Sequence, residues 1–449
     1  MAQDGVRGIV FYSSLSLTHR KEIKMKSLTF LASALAAAPL LAAVPVIDTS
    51  SVSVQQGPGK TVIIDYTMNP ATSGDTEPAI VTVDILTNAV GGVATSVGGE
   101  HLTTLSGDVN KVVPHTANYK HKILWEPTKE GFPEFKLPAE QVTAKITLWS
   151  TNAPPNYWII DLTKPADRMA DRYYPEAGQI PLGVTNVLYK TDRLVMRRIP
   201  AKGVTWRQGG SEGTLGFTVY RYVTFSYDYY MSIYELTYTQ YDRLRPSTWA
   251  SASGVTPYLQ NLQNIRNNAV DSDWPAKGHD FSDNTGFMRS PRSKTGLKFD
   301  LPTAAEWEFA CRAGSSTKYC NGDTEADLAK VAWYYGNSGG EIHEVGTKEP
   351  NEWGLYDMHG NAWEYTLTRH AYVNNTPAWD PVGPTAAETS GKTSSEVNYT
   401  NWQGSWRLMG GIATDSTYGT AGACASYYDR DAKSGTYKTS ACRLCLPLP

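Results

Sequence analysis

The sequence predicts an α+β chain in two parts: an all-β N-terminal sandwich, then a larger, loop-rich mixed domain. Three observations carry this. Residues 46–162 alternate with period two, residues 190–449 shift to Trp, Tyr and Gly with short helical patterns, and a proline-bearing transition at 163–189 separates them. A chain of 449 residues has room for two or three ordinary domains, and 41% hydrophobic residues suffice to fill their cores.

In the first part, Thr61 to Tyr66, Ala79 to Ile85 and Val142 to Trp149 are β-branched runs, broken by turn segments such as Gly57-Pro58-Gly59 and Asn69-Pro70. No amphipathic helix interrupts them, so a small antiparallel sandwich of immunoglobulin-like type is expected over 46–162. Its histidines, His101, His115 and His121, are spread along the chain and read as surface residues rather than a catalytic set.

Pro165, Pro175 and Pro181 mark the transition, read as a linker over 163–189. Beyond it, Glu235 to Leu244 and Thr303 to Cys311 carry helical patterns. Thr303 is placed as an N-cap, with Glu306 completing a capping box, and Trp307, Ala310 and Cys311 supply a buried face.

The N-terminus reads as an export signal. Met25-Lys26 precedes an apolar run from Leu28 to Ala43 that ends in small residues, so 1–45 is taken as a signal peptide with an upstream extension. Met25 as the true start and a long basic n-region are both open. The run is too short and Ala-rich for a stable membrane span. Bacterial-type export to the periplasm, cell surface or medium is expected, and it permits disulfides. The five cysteines are an odd number, so at least one has no partner within the chain, and no pair of CxxC motifs offers a zinc site. A net charge of -3 without a basic stripe argues against nucleic acid as a partner.

Four segments, in order, carry a resemblance. They are Tyr230-Met231-Ser232-Ile233-Tyr234-Glu235-Leu236-Thr237, then Leu301-Pro302-Thr303-Ala304-Ala305-Glu306-Trp307-Glu308, then Pro350-Asn351-Glu352-Trp353-Gly354-Leu355-Tyr356-Asp357-Met358-His359-Gly360-Asn361-Ala362-Trp363-Glu364, and last Trp406 to Gly411 with Cys442-Arg443-Leu444. Residues 190–449 thereby resemble the sulfatase-modifying-factor family, formylglycine-generating enzyme and its relatives. The resemblance implies a C-type-lectin-like fold. It also implies a structural calcium ion held by Asp357, Gly360, Ala362 and Glu364, a set of hard oxygen donors of the kind Ca²⁺ prefers. It further implies a disulfide between Cys311 and Cys424.

The oxidase members of that family bind Cu(I) through two cysteines that follow a Gly-Gly turn. Here the corresponding positions, counted from Gly410-Gly411, are Asp415 and Thr420. Neither offers the soft thiolate that Cu(I) requires, so copper and copper-dependent oxidation of sulfatase cysteine are not expected. Ile412 to Ala441 contains no Leu, Val, Phe, Trp, Met or Pro across 30 residues. Its Tyr, Ser, Gly and Asp mixture is that of an adaptable binding loop. The resemblance adds that C-type-lectin-like relatives serve as variable receptors in diversity-generating retroelement systems. The expected function is therefore an exported, non-catalytic binding protein that presents Asp415, Tyr418, Tyr427 and Tyr428 to a protein or glycan. A formylglycine-generating oxidase is the alternative.

Overall fold

The computed structural model describes residues 45–69, 77–88, 94–99, 102–115, 119–132, 142–166, 172–209, 221–244, 289–369, 378–379, 405–409, 427–431 and 440–448. Among those before residue 151, every regular element is a strand or a single 3-10 turn. One sheet places Val142–Ser150 and Ala94–Ser96 against Ala79–Asn88, a second orders Ser53–Gln56, Val62–Tyr66, His121–Trp125 and Ser106–Gly107, and Val46–Ile47 pairs with Met68–Asn69. Alternate residues of both sheets, including Val62, Ile64, Val81, Val83, Ile123 and Trp125, meet in one buried cluster. Period-two burial of branched side chains is what drives this pairing.

Two expectations for this part are corrected. His115 and His121 are buried rather than on the surface. His121 Nδ1 lies 2.9 Å from Asp108 Oδ2, and its ring stacks on Tyr66. The domain boundary also moves. Tyr157–Asp161, read as part of the sandwich, and Arg172–Tyr174, inside the expected linker, join Arg193–Ile199, Tyr229–Ser232 and Cys445–Pro447 in a five-stranded antiparallel sheet. The reason is burial on both faces. Tyr157 and Ile159 enter one hydrophobic cluster, while Trp158 and Ile160 enter another. A continuous apolar run of this kind marks a strand covered on each side, not one with a wet face.

The two parts meet directly at Arg172–Tyr174, where Tyr173 N donates to Asn110 O at 2.8 Å. Nearby, Gly99 packs so closely on Gln179 that an added Cβ would sit 2.2 Å from its carbonyl carbon.

In the C-terminal part, the helix Ala304–Arg312 forms as expected, with Thr303 and Glu306 completing the capping box. It departs from expectation in being buried along its whole length, charged residues included. Those charges are matched: Arg312 Nε donates to Glu308 Oε1 at 2.9 Å, and the Tyr227 hydroxyl donates to Glu306 Oε1 at 3.0 Å. The other helix starts late, at Tyr238–Leu244, because Glu235 and Leu236 are drawn into contacts with the motif residues, Leu236 N donating to Cys442 O. A further sheet orders Tyr427–Asp431, Ser405–Met409, Trp363–Arg369 and Ser440–Cys442, the last running parallel to Trp363–Arg369. The chain is thus mixed α+β, with short helices set among strands and turns.

Candidate functional site

The segment from Asn351 to Glu364 is knitted together by side-chain amides. Asn351 Nδ2 donates to the carbonyls of Ala310 and Cys311 at the end of the buried helix, while its Oδ1 accepts from the amides of Trp353 and Leu355. The turn that follows is built from left-handed residues: Asp357 (φ 57°), Gly360 (φ 91°) and Asn361 (φ 59°). Only glycine fits at 360, since a Cβ there would lie 2.1 Å from Trp333 O. Asn361 holds the turn in place through Oδ1, which accepts from His343 N, and Nδ2, which donates to Glu235 Oε2 at 2.8 Å.

This geometry gathers charged groups that the sequence disperses. Glu235, Asp357, Glu364 and Arg443 are each at most 1% exposed. Arg443 Nη2 donates to Glu364 Oε1 at 2.8 Å, and Nε lies 3.1 and 3.0 Å from Oε1 and Oε2. Trp307 Nε1 donates to Glu364 Oε2 at 2.8 Å. Burial and then the neighbouring Glu364 and Asp357 push the Glu235 carboxyl well above its usual range. Burial likewise raises Asp357 to about 6, against the lowering effects of the Gly346 amide and Arg443. Desolvation alone would lower the Arg443 guanidinium, but Glu364, Glu235 and Asp357 together outweigh it and hold the charge on.

Set against the calcium expectation, the four residues fit unequally. Asp357 Oδ2 accepts from Gly346 N at 2.7 Å, and its Oδ1 is buried with no hydrogen-bond partner, as an oxygen awaiting a cation would be. Glu364 offers no such oxygen, because Arg443 and Trp307 already occupy both. Gly360 and Ala362 can contribute only carbonyls. The set does not fit calcium as a shell.

The thiols are placed as follows. Cys311 is buried with Sγ 3.6 Å from Met358 O and 3.7 Å from His359 Nε2, and its expected partner Cys424 lies outside the described residues. Cys320 is a buried free thiol whose amide donates to His359 Nε2. Cys442 and Cys445 are also buried and free. Burial, then Glu364 and Glu235, push the Cys442 thiol far above its ordinary range, and burial does the same to Cys445.

Of the expected ligand-binding residues, Asp415 and Tyr418 lie outside the described residues, as does Thr420. Tyr427 and Tyr428 open the strand Tyr427–Asp431, paired with Met409 and Leu408.

The comparisons agree with the motif geometry. A family model described as the sulfatase-modifying factor enzyme 1-like domain matches residues 208–411. The chain carries a sulfatase-modifying-factor domain. Formylglycine-generating enzyme of Mycobacterium tuberculosis is 40% identical over 79 residues, which are 15% of this chain and 26% of that protein. The Mus musculus formylglycine-generating enzyme is 32% identical over 103 residues, 20% of this chain and 27% of that protein. The chain thus spans only about a quarter of the length of these curated relatives. Among solved structures, Treponema denticola variable protein 1 superposes with a TM-score of 0.40 at 24% identity, covering 57% of this chain and 96% of that one.

Glu235 and Arg443 stood inside the quoted motifs, yet sequence reasoning gave them no role. Their positions are 208 residues apart in the chain, and only the fold shows that both reach the Asp357–Glu364 turn. The available signal was the presence of ionisable residues within otherwise apolar motif strands, which a folded core tolerates only when they are partnered.

Proposed function

We propose that this protein is an exported binding protein that keeps the sulfatase-modifying-factor scaffold and has given up copper chemistry. The fate of the thiols supports this reading. Asp415 and Thr420 stand where Cu(I) ligands are expected, and the cysteines nearest the C-terminus, Cys442 and Cys445, are buried and held protonated by their surroundings. Cu(I) is taken up by exposed thiolates, and neither residue presents one.

The binding surface in this reading is formed by Asp415, Tyr418, Tyr427 and Tyr428, directed at a protein or a glycan. Tyr contributes large rigid contact area at low entropic cost, and Asp, Ser and Gly supply adaptable polar contacts. The N-terminal β-part, of immunoglobulin-like type, serves as a docking module. Variation of the loop through a retroelement is the narrower form of the proposal. A near-repeat of the gene's 3′ end beside a reverse transcriptase gene is its expected signature, and absence of both removes it.

Two measurements on the purified chain separate this from the oxidase alternative: competition with a Cu(I) chelator, and incubation with a CxPxR peptide. Neither copper retention nor conversion of the peptide cysteine is expected. Turnover of the peptide overturns the proposal. On immobilised protein and glycan arrays, any ligand should be lost when Asp415, Tyr418, Tyr427 and Tyr428 are changed together to Ala; retention of every signal counts against this surface.

A further inference from the structure

We infer that Arg443 occupies the Glu364 carboxylate at the Asp357–Glu364 turn, so that this domain closes without a divalent cation. Calcium needs about 6–8 oxygen ligands at roughly 2.3–2.6 Å, and a bidentate or monodentate carboxylate is the usual anchor of the shell. Glu364 is the anchor the pattern names, and its lone pairs are used. Oε1 receives Arg443 Nε at 3.1 Å and Nη2 at 2.8 Å; Oε2 receives Nε at 3.0 Å and Trp307 Nε1 at 2.8 Å.

Nor can the guanidinium swing aside to admit an ion. Arg443 Nη1 donates to Ser232 O and Ile233 O at 3.1 and 2.8 Å, and Nη2 donates to Tyr356 O at 2.7 Å as well as to Glu364. Every N–H of the fork is thereby spent on a fixed acceptor, in a place where the side chain has no solvent exposure. Displacing it would leave the buried guanidinium donors and three carbonyl acceptors without partners and set a cation of the protein beside the entering ion.

The remaining donors do not rebuild a shell elsewhere. The oxygens of Glu235 accept from Asn361 Nδ2 and Ala362 N. Asp357 keeps a single open oxygen, Oδ1, and one such oxygen is far short of a calcium shell. The same guanidinium links the end of Tyr229–Ser232, the Tyr356 turn and Trp363–Arg369, which is the bracing work a structural ion would do.

The test uses the full purified chain. Metal analysis after dialysis should find calcium well below one ion per chain, and excess EDTA should leave the melting temperature unchanged. Terbium is the second probe, since Trp307 and Trp363 flank the turn and would sensitise a bound lanthanide. No saturable terbium luminescence should develop, in the wild type or in Glu364→Gln. Calcium retained at one ion per chain, a melting temperature that EDTA lowers and calcium restores, or saturable terbium luminescence lost in Glu364→Gln would each overturn the inference. The luminescence measurement reads the site even if the variant is less stable. The outcome is independent of the ligand-binding reading, because a calcium-free scaffold could host either a receptor or an oxidase.

Discussion

Arg443 Nη2 lies 2.8 Å from Glu364 Oε1, and solvent reaches neither side chain. The pair joins the segment between Ser440–Cys442 and Cys445–Pro447 to the motif strand Trp363–Arg369, and its partners come from three other parts of the fold. A buried pair of this kind contributes little net stability over apolar residues, but breaking it leaves a charge stranded.

The first prediction follows from that asymmetry. Arg443→Met should lower unfolding stability by about 3–5 kcal/mol, since Glu364 is left buried and uncompensated. Adding Glu364→Leu should recover part of the loss, giving a coupling energy of about 1–3 kcal/mol in a double-mutant cycle by urea denaturation. Single effects that simply add would show that the two side chains do not act as a unit.

Cys442 and Cys445 should be inert in the native protein. Both are buried, and burial drives their thiols upward, so the reactive thiolate is scarce at neutral pH. Titration with a thiol reagent should leave them unlabelled until denaturant is added, as peptide mass mapping would show. Rapid native labelling of either one would also weaken the case against copper ligation.

The joint between the two parts gives a third expectation. Gly99 has no room for a side chain against the Gln179 backbone, and backbone cannot step aside as a side-chain tip can. Gly99→Ala should therefore destabilise by about 1–3 kcal/mol through overpacking. The wild type should melt in one calorimetric transition, because Tyr173, Asn110 and Gly99 tie the parts together. Two well-separated wild-type transitions would mean that the β-part is only tethered.

What was legible in the sequence was local. The capping box of Thr303 and Glu306 and the strands around Ile64, Val81 and Ile146 depend on residues a few positions apart. What was not legible depended on distant chain segments. Tyr157 to Ile160 read as sandwich because apolar runs do not say which sheet covers them; one partner strand lies inside the expected linker and the other, Arg193–Ile199, lies beyond it. His121 read as exposed because nothing local announced Asp108 and Tyr66 around it. At the candidate site the motif letters were visible, but the occupant of Glu364 was not: a guanidinium 79 residues away decides whether that carboxylate is free.

The last prediction concerns pH and rests on Asp300. Burial raises its carboxyl from 3.8 to about 7, more than Arg292 and the Leu301 amide lower it, even though Arg292 Nη2 donates to Oδ2 at 2.7 Å. The folded protein then holds a proton that the unfolded chain releases above 3.8, so over this interval the native state binds more protons. Stability from this group is fully present below 3.8 and is lost as pH rises toward about 7, with no further change above. Asp300→Asn cannot ionise and should lack that decline. The measurement is the slope of unfolding free energy between mildly acidic and neutral pH for both proteins, which avoids the constant cost of losing the Arg292 ion pair. A wild-type slope equal to that of the Asn variant would place the Asp300 proton in solution throughout, with Arg292 rather than burial dominating its surroundings.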